Sequence, residues 1–207
     1  MRLLFLSTTR DNRNAEIIAL VRGWIGESGR VGYIPSCPDP ERRYFGEVED
    51  WLNGVAPGVD VSYLDIHDGR RWQGQEVAGF DCFFISGGHT YRLMSRLRKS
   101  GMADILAEMA SEMDTPIIGV SAGGIVLTPD ITSASAPNDI GLTDCRGLAL
   151  VSWSFFPHYE KDDRRTASVR EYLAASRVGM AYALPEHSGL LVEDGDVRTL
   201  GYACLVE

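Results

Sequence analysis

The 207-residue chain is short of basic charge, cysteine and long apolar runs, and each shortage excludes something. Twenty Lys and Arg stand against 29 Asp and Glu, a formal net charge of −9. A nucleic-acid binder neutralises phosphates with a basic face. Here the dense basic clusters, Arg42-Arg43, Arg70-Arg71 and Arg164-Arg165, are short, mixed with acids and read as solvated surface. No nucleic-acid partner is expected. Cys37, Cys82, Cys145 and Cys204 are scattered, with no CxxC pair, so neither a zinc site nor a thioredoxin-like centre is expected. Cys82 falls in an apolar strand pattern and reads as core. Free thiols suit a reducing compartment, and a cytoplasmic location is the expectation. No apolar run approaches the roughly 20 residues that span a bilayer, so no membrane association is expected. The apolar stretch in residues 1–7 is too short for a signal peptide and reads as a buried first strand.

What is present is an apolar fraction of 44 %, ordinary for a chain with a sizeable core, at a length that fits one domain over residues 1–207. Strand and helix signals alternate. Residues 3–7 are strand-like. Residues 14–26 carry Ile17, Ile18, Leu20, Val21, Trp24 and Ile25 at helical spacing, with Gly29 as a stop. Residues 31–34 and 59–64 read as strands, 41–52 as a helix, 80–86 as an apolar strand, and 93–113 as helix broken near Gly101. Residues 116–120 form another buried strand. Short apolar strands separated by helices predict a mostly parallel sheet covered on both faces, with its site at the carboxyl ends of the strands.

Beyond Ser121 the pattern loosens. Residues 128–143, rich in Ser, Pro, Asn and Asp, read as a long surface loop, and 148–156 as a strand ending at Pro157-His158. Residues 164–175 read as a helix. Segments 180–184, 189–192 and 197–200 read as short strands, with Asp194-Gly195 as a hairpin turn.

Two of the predicted strands end in polar, glycine-rich turns, Ser86-Gly87-Gly88 and Gly119-Val120-Ser121-Ala122-Gly123. The second matches G-x-S-x-G. In that motif a strand turns sharply into a helix, so that the serine hydroxyl projects above the sheet and the helix N–H groups face developing negative charge. A serine needs a base to become nucleophilic, and the base needs an orienting group. Four histidines are available. His67 sits between Asp65 and Asp68 and reads as solvated, His89 follows the glycine pair and His187 follows Glu186. His158 follows strand-like Phe155-Phe156, where a parallel sheet presents its active edge.

Gly87-Gly88-His89-Thr90, the serine turn, Asn138-Asp139, Pro157-His158-Tyr159 and Leu184-Pro185-Glu186 together resemble the S51 serine peptidase family, in order and approximate spacing over nearly the whole chain. Aspartyl dipeptidases typify that family and cyanophycinases are relatives. The accompanying fold expectation is an α/β three-layer sandwich of flavodoxin-like or class I glutamine amidotransferase-like type. The resemblance implies Ser121 as nucleophile, His158 as general base and Glu186 as the carboxylate orienting it. It implies backbone N–H groups of Gly88 and Ala122 as oxyanion donors, with Asp139 a rival third member. Where the family has Gly-Gly-Asn-Thr, His89 replaces the Asn and is expected at the substrate pocket. Arg165 is the nearest match to the arginine that meets a substrate aspartate, which leaves Asp preference open.

The expected activity is hydrolysis of short peptides through an acyl-enzyme, by a dipeptidase or aminopeptidase-like enzyme, with no metal or organic cofactor implied. A homodimer is compatible with the sequence, which does not set the oligomeric state. Two other readings remain. Ser121, Asp144 and His187 stand in the chain order of an α/β-hydrolase esterase. A catalytically silent binding module on the same fold is the other. Loss of activity on His158→Ala but not His187→Ala separates the first from the peptidase, and fluorophosphonate labelling of Ser121 tests the second.

Overall fold

The computed structural model describes residues 1–160 and 162–207. Its main sheet is built from β1 (Arg2–Leu6), β2 (Arg30–Ile34), β3 (Asp60–Tyr63), β4 (Cys82–Ile85) and β5 (Ile117–Val120), all parallel, extended by antiparallel β8 (Gly189–Glu193) and β9 (Asp196–Leu200). The order across it is β3-β2-β4-β5-β1-β8-β9. A second sheet has the order β10-β7-β6, from β6 (Ser154–Pro157), β7 (Ala181–Leu184) and β10 (Cys204–Val206).

The alternation of side chains along the strands sets the layers. Leu4, Leu6, Cys82, Phe84, Ile118 and Val120 point to one face, where they pack with helix α1 (Ala15–Ile25) and helix α2 (Arg43–Val55). Leu3, Phe5, Phe83, Ile85 and Ile117 point to the other, under α3 (Gly74–Val77), α4 (Thr90–Lys99), α5 (Met102–Ser111) and the single turn α6 (Ala122–Ile125). The result is the expected three-layer sandwich. Both faces of the parallel strands are covered, which explains why those strands read as continuous apolar runs.

Right-handed crossovers decide which helix takes which face. The β1–α1–β2 and β2–α2–β3 units both run toward the β3 edge and share a face. The path from β4 through α4 and α5 to β5 runs the other way and takes the opposite face. The chain therefore diverges above β2 and β4, and again above β1 and β5. Open α/β sheets bind ligands in such crevices.

Local chemistry sets the element ends. The Asn14 carboxamide accepts from the N–H groups of Glu16 and Ile17 to cap α1, which ends at Gly26 (φ 72°) rather than at Gly29. Helix α2 starts at Arg43, later than the sequence suggested, because the Asp39 carboxylate accepts from the N–H groups of Arg43 and Phe45, each at 3.0 Å. The strand expected over residues 148–156 is confined to Ser154–Pro157. Upstream, the N–H groups of Leu148, Ala149 and Leu150 donate to the carbonyls of Val126, Thr128 and Leu127, and Ala149 takes φ 53°. Residues 128–143 contain no helix or strand, yet Ile131 is fully buried and Asp130 bridges to Arg146, so this loop is anchored. Helix α7 (Asp163–Ala175) and the β8–β9 hairpin, with Asp194 (φ 50°) and Gly195 (φ 90°) at its turn, match the sequence reading. Among the described residues no helix is long and apolar enough to cross a membrane.

The two sheets meet through aromatic packing. Phe5 of β1 lies 4.8 Å from Trp153 and 5.3 Å, edge to face, from Phe155 of β6, measured between ring centroids. Such pairs add about 1 kcal/mol each beyond area burial. They seat the second sheet against the rim that carries the serine turn.

Candidate active site

The serine turn is built by close approach. Ser121 follows β5 directly, with φ 51° and ψ −110°, and donates its N–H to the Leu6 carbonyl of β1 at 2.8 Å. A Cβ at Gly119 would sit 2.7 Å from the Gly123 carbonyl oxygen, and one at Gly123 would sit 2.1 Å from that of Ile85. Neither position tolerates a side chain, which is the physical content of the two motif glycines here. The helix that follows is shorter than the motif suggested, a single turn.

The partners of Ser121 come from the second sheet. Strands β6 and β7 run parallel with Pro157 opposite Leu184, so the residues just beyond their ends emerge side by side. His158 is the first residue past β6 and Glu186 the second past β7. His158 Nε2 lies 2.9 Å from Ser121 Oγ, and His158 Nδ1 lies 2.5 Å from Glu186 Oε1. A carboxylate only accepts, so Nδ1 carries the proton toward Glu186 and the Nε2 lone pair faces the serine hydroxyl. The imidazole and the carboxylate are about half exposed, at 48 % and 45 %, which leaves this rim open to a substrate.

Three backbone positions here occupy the left-handed region: Ser121, His158 (φ 58°) and His187 (φ 60°), which follows Glu186. Such residues cost about 1–3 kcal/mol each and persist where surrounding contacts hold them. The contacts are specific. The Ser7 hydroxyl, 1 % exposed, accepts from the His158 N–H at 3.1 Å and donates to the Leu184 carbonyl at 2.7 Å. One buried hydroxyl thus ties the end of β1 to both strands that deliver the imidazole and the carboxylate. The Asn14 carboxamide, besides capping α1, donates to the carbonyls of His187 and Leu200, each at 3.3 Å. Sequence reading saw only a strand end in Ser7 and a helix start in Asn14. Their polarity next to a buried run was the one signal available.

The Gly87-Gly88 turn sits beside the serine. A Cβ at Gly87 would lie 3.3 Å from Ser121 Cβ, and Gly88 has φ 146°, with Ser36 Oγ occupying the space a Cβ would need. Ser36 holds this turn twice: its hydroxyl donates to the Gly87 carbonyl, and its N–H donates to Ser86 Oγ at 2.8 Å.

The other candidate residues lie in different surroundings. Asp139 pairs with the Arg92 guanidinium and with His89 Nε2 at 3.1 Å; its partners are not His158. The Arg92 guanidinium holds the Asp139 carboxyl below the usual carboxylate range. His89 caps α4, its Nδ1 accepting from the Arg92 N–H at 3.5 Å. Its ring is thus engaged with the Asp139 loop. Arg165 gives its N–H to the Asp162 carboxylate at 2.6 Å and borders a shallow depression with Glu160, Asp162, Arg164 and Ser168. The esterase set does not assemble: Asp144 is paired with Arg146 at 2.7 Å and with Arg98 at 3.6 Å, while His187 offers its carbonyl to Asn14. His67, read as solvated, is half-buried with Nε2 3.3 Å from the Pro35 carbonyl, and burial pushes its pKa down.

Beside the serine turn opens a cleft of about 670 Å³, bordered by the loops after β1, β2 and β4 and by helix α2. Its members include Thr8, Ser36, Gly87, Gly88 and Val120.

Comparison with known proteins accords with this fold. The model of Peptidase family S51 matches residues 3–200. Peptidase E of Streptomyces coelicolor is 27 % identical over 97 % of this chain and 84 % of its own length. Peptidase E of Haemophilus influenzae is 26 % identical over 77 % of this chain and 70 % of its own. A crystal structure of a candidate Peptidase E protein from Listeria monocytogenes superposes with a TM-score of 0.71 at 22 % identity, covering 96 % of each chain. The chain belongs to peptidase family S51, and it is a peptidase, a serine-type hydrolase.

Proposed function

We propose that the chain is a dipeptidase or aminopeptidase-like enzyme that hydrolyses short peptides through an acyl-enzyme on Ser121. The observation that carries this reading is the continuous contact Ser121 Oγ–His158 Nε2, His158 Nδ1–Glu186 Oε1. Ser121 attacks the scissile carbonyl while His158 takes its proton at Nε2. Glu186 holds the ring in the tautomer that can accept that proton and stabilises the imidazolium that results. The N–H groups of Gly88 and Ala122 receive the oxyanion, a donor of this kind being worth about 3 kcal/mol of barrier. His158 then protonates the leaving amine, and water, activated at the same nitrogen, resolves the ester. Peptidase E relatives support the dipeptidase reading. Four free cysteines support a reducing compartment, and a cytoplasmic location belongs to the same proposal.

The test is turnover of a panel of dipeptides and tripeptides with identification of products. Ser121→Ala and His158→Ala are each expected to lower kcat by about 10⁶-fold, as when a member of such a unit is removed. His187→Ala is expected to stay within a few-fold of wild type. Intact turnover in His158→Ala, or its loss in His187→Ala, overturns the assignment.

A further inference from the structure

We infer that the cleft beside the serine turn is the specificity pocket, and that it takes an aromatic or large apolar side chain on the residue whose carbonyl Ser121 attacks, in preference to aspartate. This rests on the acyl-transfer reading above and names its substrate class. The first support is position. The cleft is bordered by loops from both points where successive helices diverge to opposite faces, after β1 and after β2 and β4, and it reaches Gly88 and Val120 next to Ser121. Ligands of open α/β sheets bind at such points. Its volume lies within the range of small-ligand sites, roughly 300–1,000 Å³.

The second support is the wall. Tyr33, Phe84, Val48, Trp51 and Val120 line the cleft on the side of α2. Burial pushes the Tyr33 phenol up to about 12, so this floor bears no charge at neutral pH. A pocket of this composition gains from burying apolar area.

The third support is charge, which decides against aspartate. Among the described residues lining the cleft, Arg10 is the only cation, against Asp11, Asp39, Glu47 and Asp50. The Arg10 guanidinium is already engaged, 3.2 Å from Glu47 Oε2. An aspartyl carboxylate entering here would lose water and meet net negative charge, four carboxylates against one guanidinium, which is costly. The same acidic rim favours the free α-ammonium of a short peptide.

The experiment compares kcat/KM for dipeptides that share one leaving residue and begin with Phe, Leu, Ala or Asp, with fluorophosphonate labelling of Ser121 run in parallel. Phe and Leu are expected to exceed Asp by at least about tenfold, the usual reach of an apolar pocket. Two exposed substitutions on α2 sharpen the test. Glu47→Gln frees Arg10, and Asp50→Lys adds a cation; each is expected to narrow the Phe-to-Asp ratio by about fivefold or more while labelling continues. Preference of the wild type for the Asp peptide, with labelling intact, overturns this inference alone. An unchanged ratio in both variants also overturns it. Absence of both labelling and turnover overturns the acyl-transfer reading and this inference with it.

Discussion

The half of the molecule that carries the serine and the half that carries its partners are held in place by different physics. Ser121 rises from β5, the middle of a sheet buried on both faces, and its turn leaves no room for side chains at Gly119 and Gly123. His158 and Glu186 rise from a three-stranded sheet that lends Phe155 and Leu184 to the main core and, among the described residues, has a small cluster of its own with Val169, Ala181 and Val206 buried. The first half is positioned by packing, the second by packing of Phe155 and Leu184 into the main core together with polar ties at its rim. The lesson is that Ser121 is set by the core, whereas its alignment with His158 also depends on a few hydrogen bonds.

Substitutions can break that contrast in order of severity. Among the residues that hold the His158 ring, the largest effect falls on Glu186. Glu186→Gln keeps the shape but offers an amide where Nδ1 needs a carboxylate, and kcat is expected to fall by about 10⁴-fold. Asp139→Asn, which disturbs only the Arg92 and His89 contacts, is expected to stay within a few-fold. Steady-state kinetics on both variants reads the difference, and equal losses would return Asp139 to the triad.

Ser7→Ala comes next. It leaves the His158 N–H and the Leu184 carbonyl without their shared partner, at a cost of about 1–3 kcal/mol in stability for buried polar groups. Misalignment of the imidazole is expected to lower kcat by about 100-fold with KM nearly unchanged, because small displacements of a reacting group are costly. Ser7→Thr, which restores a hydroxyl, is expected to recover most of that rate. A lower yield of folded protein with kcat per active site unchanged would show that Ser7 serves only folding.

Smallest is Asn14→Ala, which removes the cap of α1 and the ties to His187 and Leu200. A loss of about 1 kcal/mol is expected from the cap, read as a shift in denaturant midpoint with little change in kcat. A large drop in kcat would mean that the Glu186 turn depends on α1 as strongly as it does on β1.

The same contrast governs what could be read from the sequence. The parallel sheet was legible because continuous apolar runs such as Cys82-Phe83-Phe84-Ile85 alternate with periodic helices, and burial on both faces leaves that imprint. Ser121 was legible because its crowded turn demands glycine on either side. The second sheet was only half visible: β7 showed, but β10 is three residues long and the run before β6 folds back on the loop after α6. Glu186 and Asp139 could not be told apart by residue type, since both are acids in polar turns. Three-dimensional pairing separates them, through Arg92 for one and the His158 ring for the other. Ser7, Ser36 and Asn14 carried no motif, because a hydroxyl or amide that bridges backbone groups across the fold has no local pattern.

The central claim is that Ser121, His158 and Glu186 act as one unit at the rim shared by the two sheets. Mass spectrometry of the protein after fluorophosphonate treatment tests it most directly. One adduct is expected, on the peptide containing Ser121, forming at a rate that collapses in His158→Ala and in Glu186→Gln and persists in His187→Ala and Asp139→Asn. An unmodified Ser121 under conditions where peptides are hydrolysed, or labelling that survives loss of the residue 158 imidazole, would contradict it.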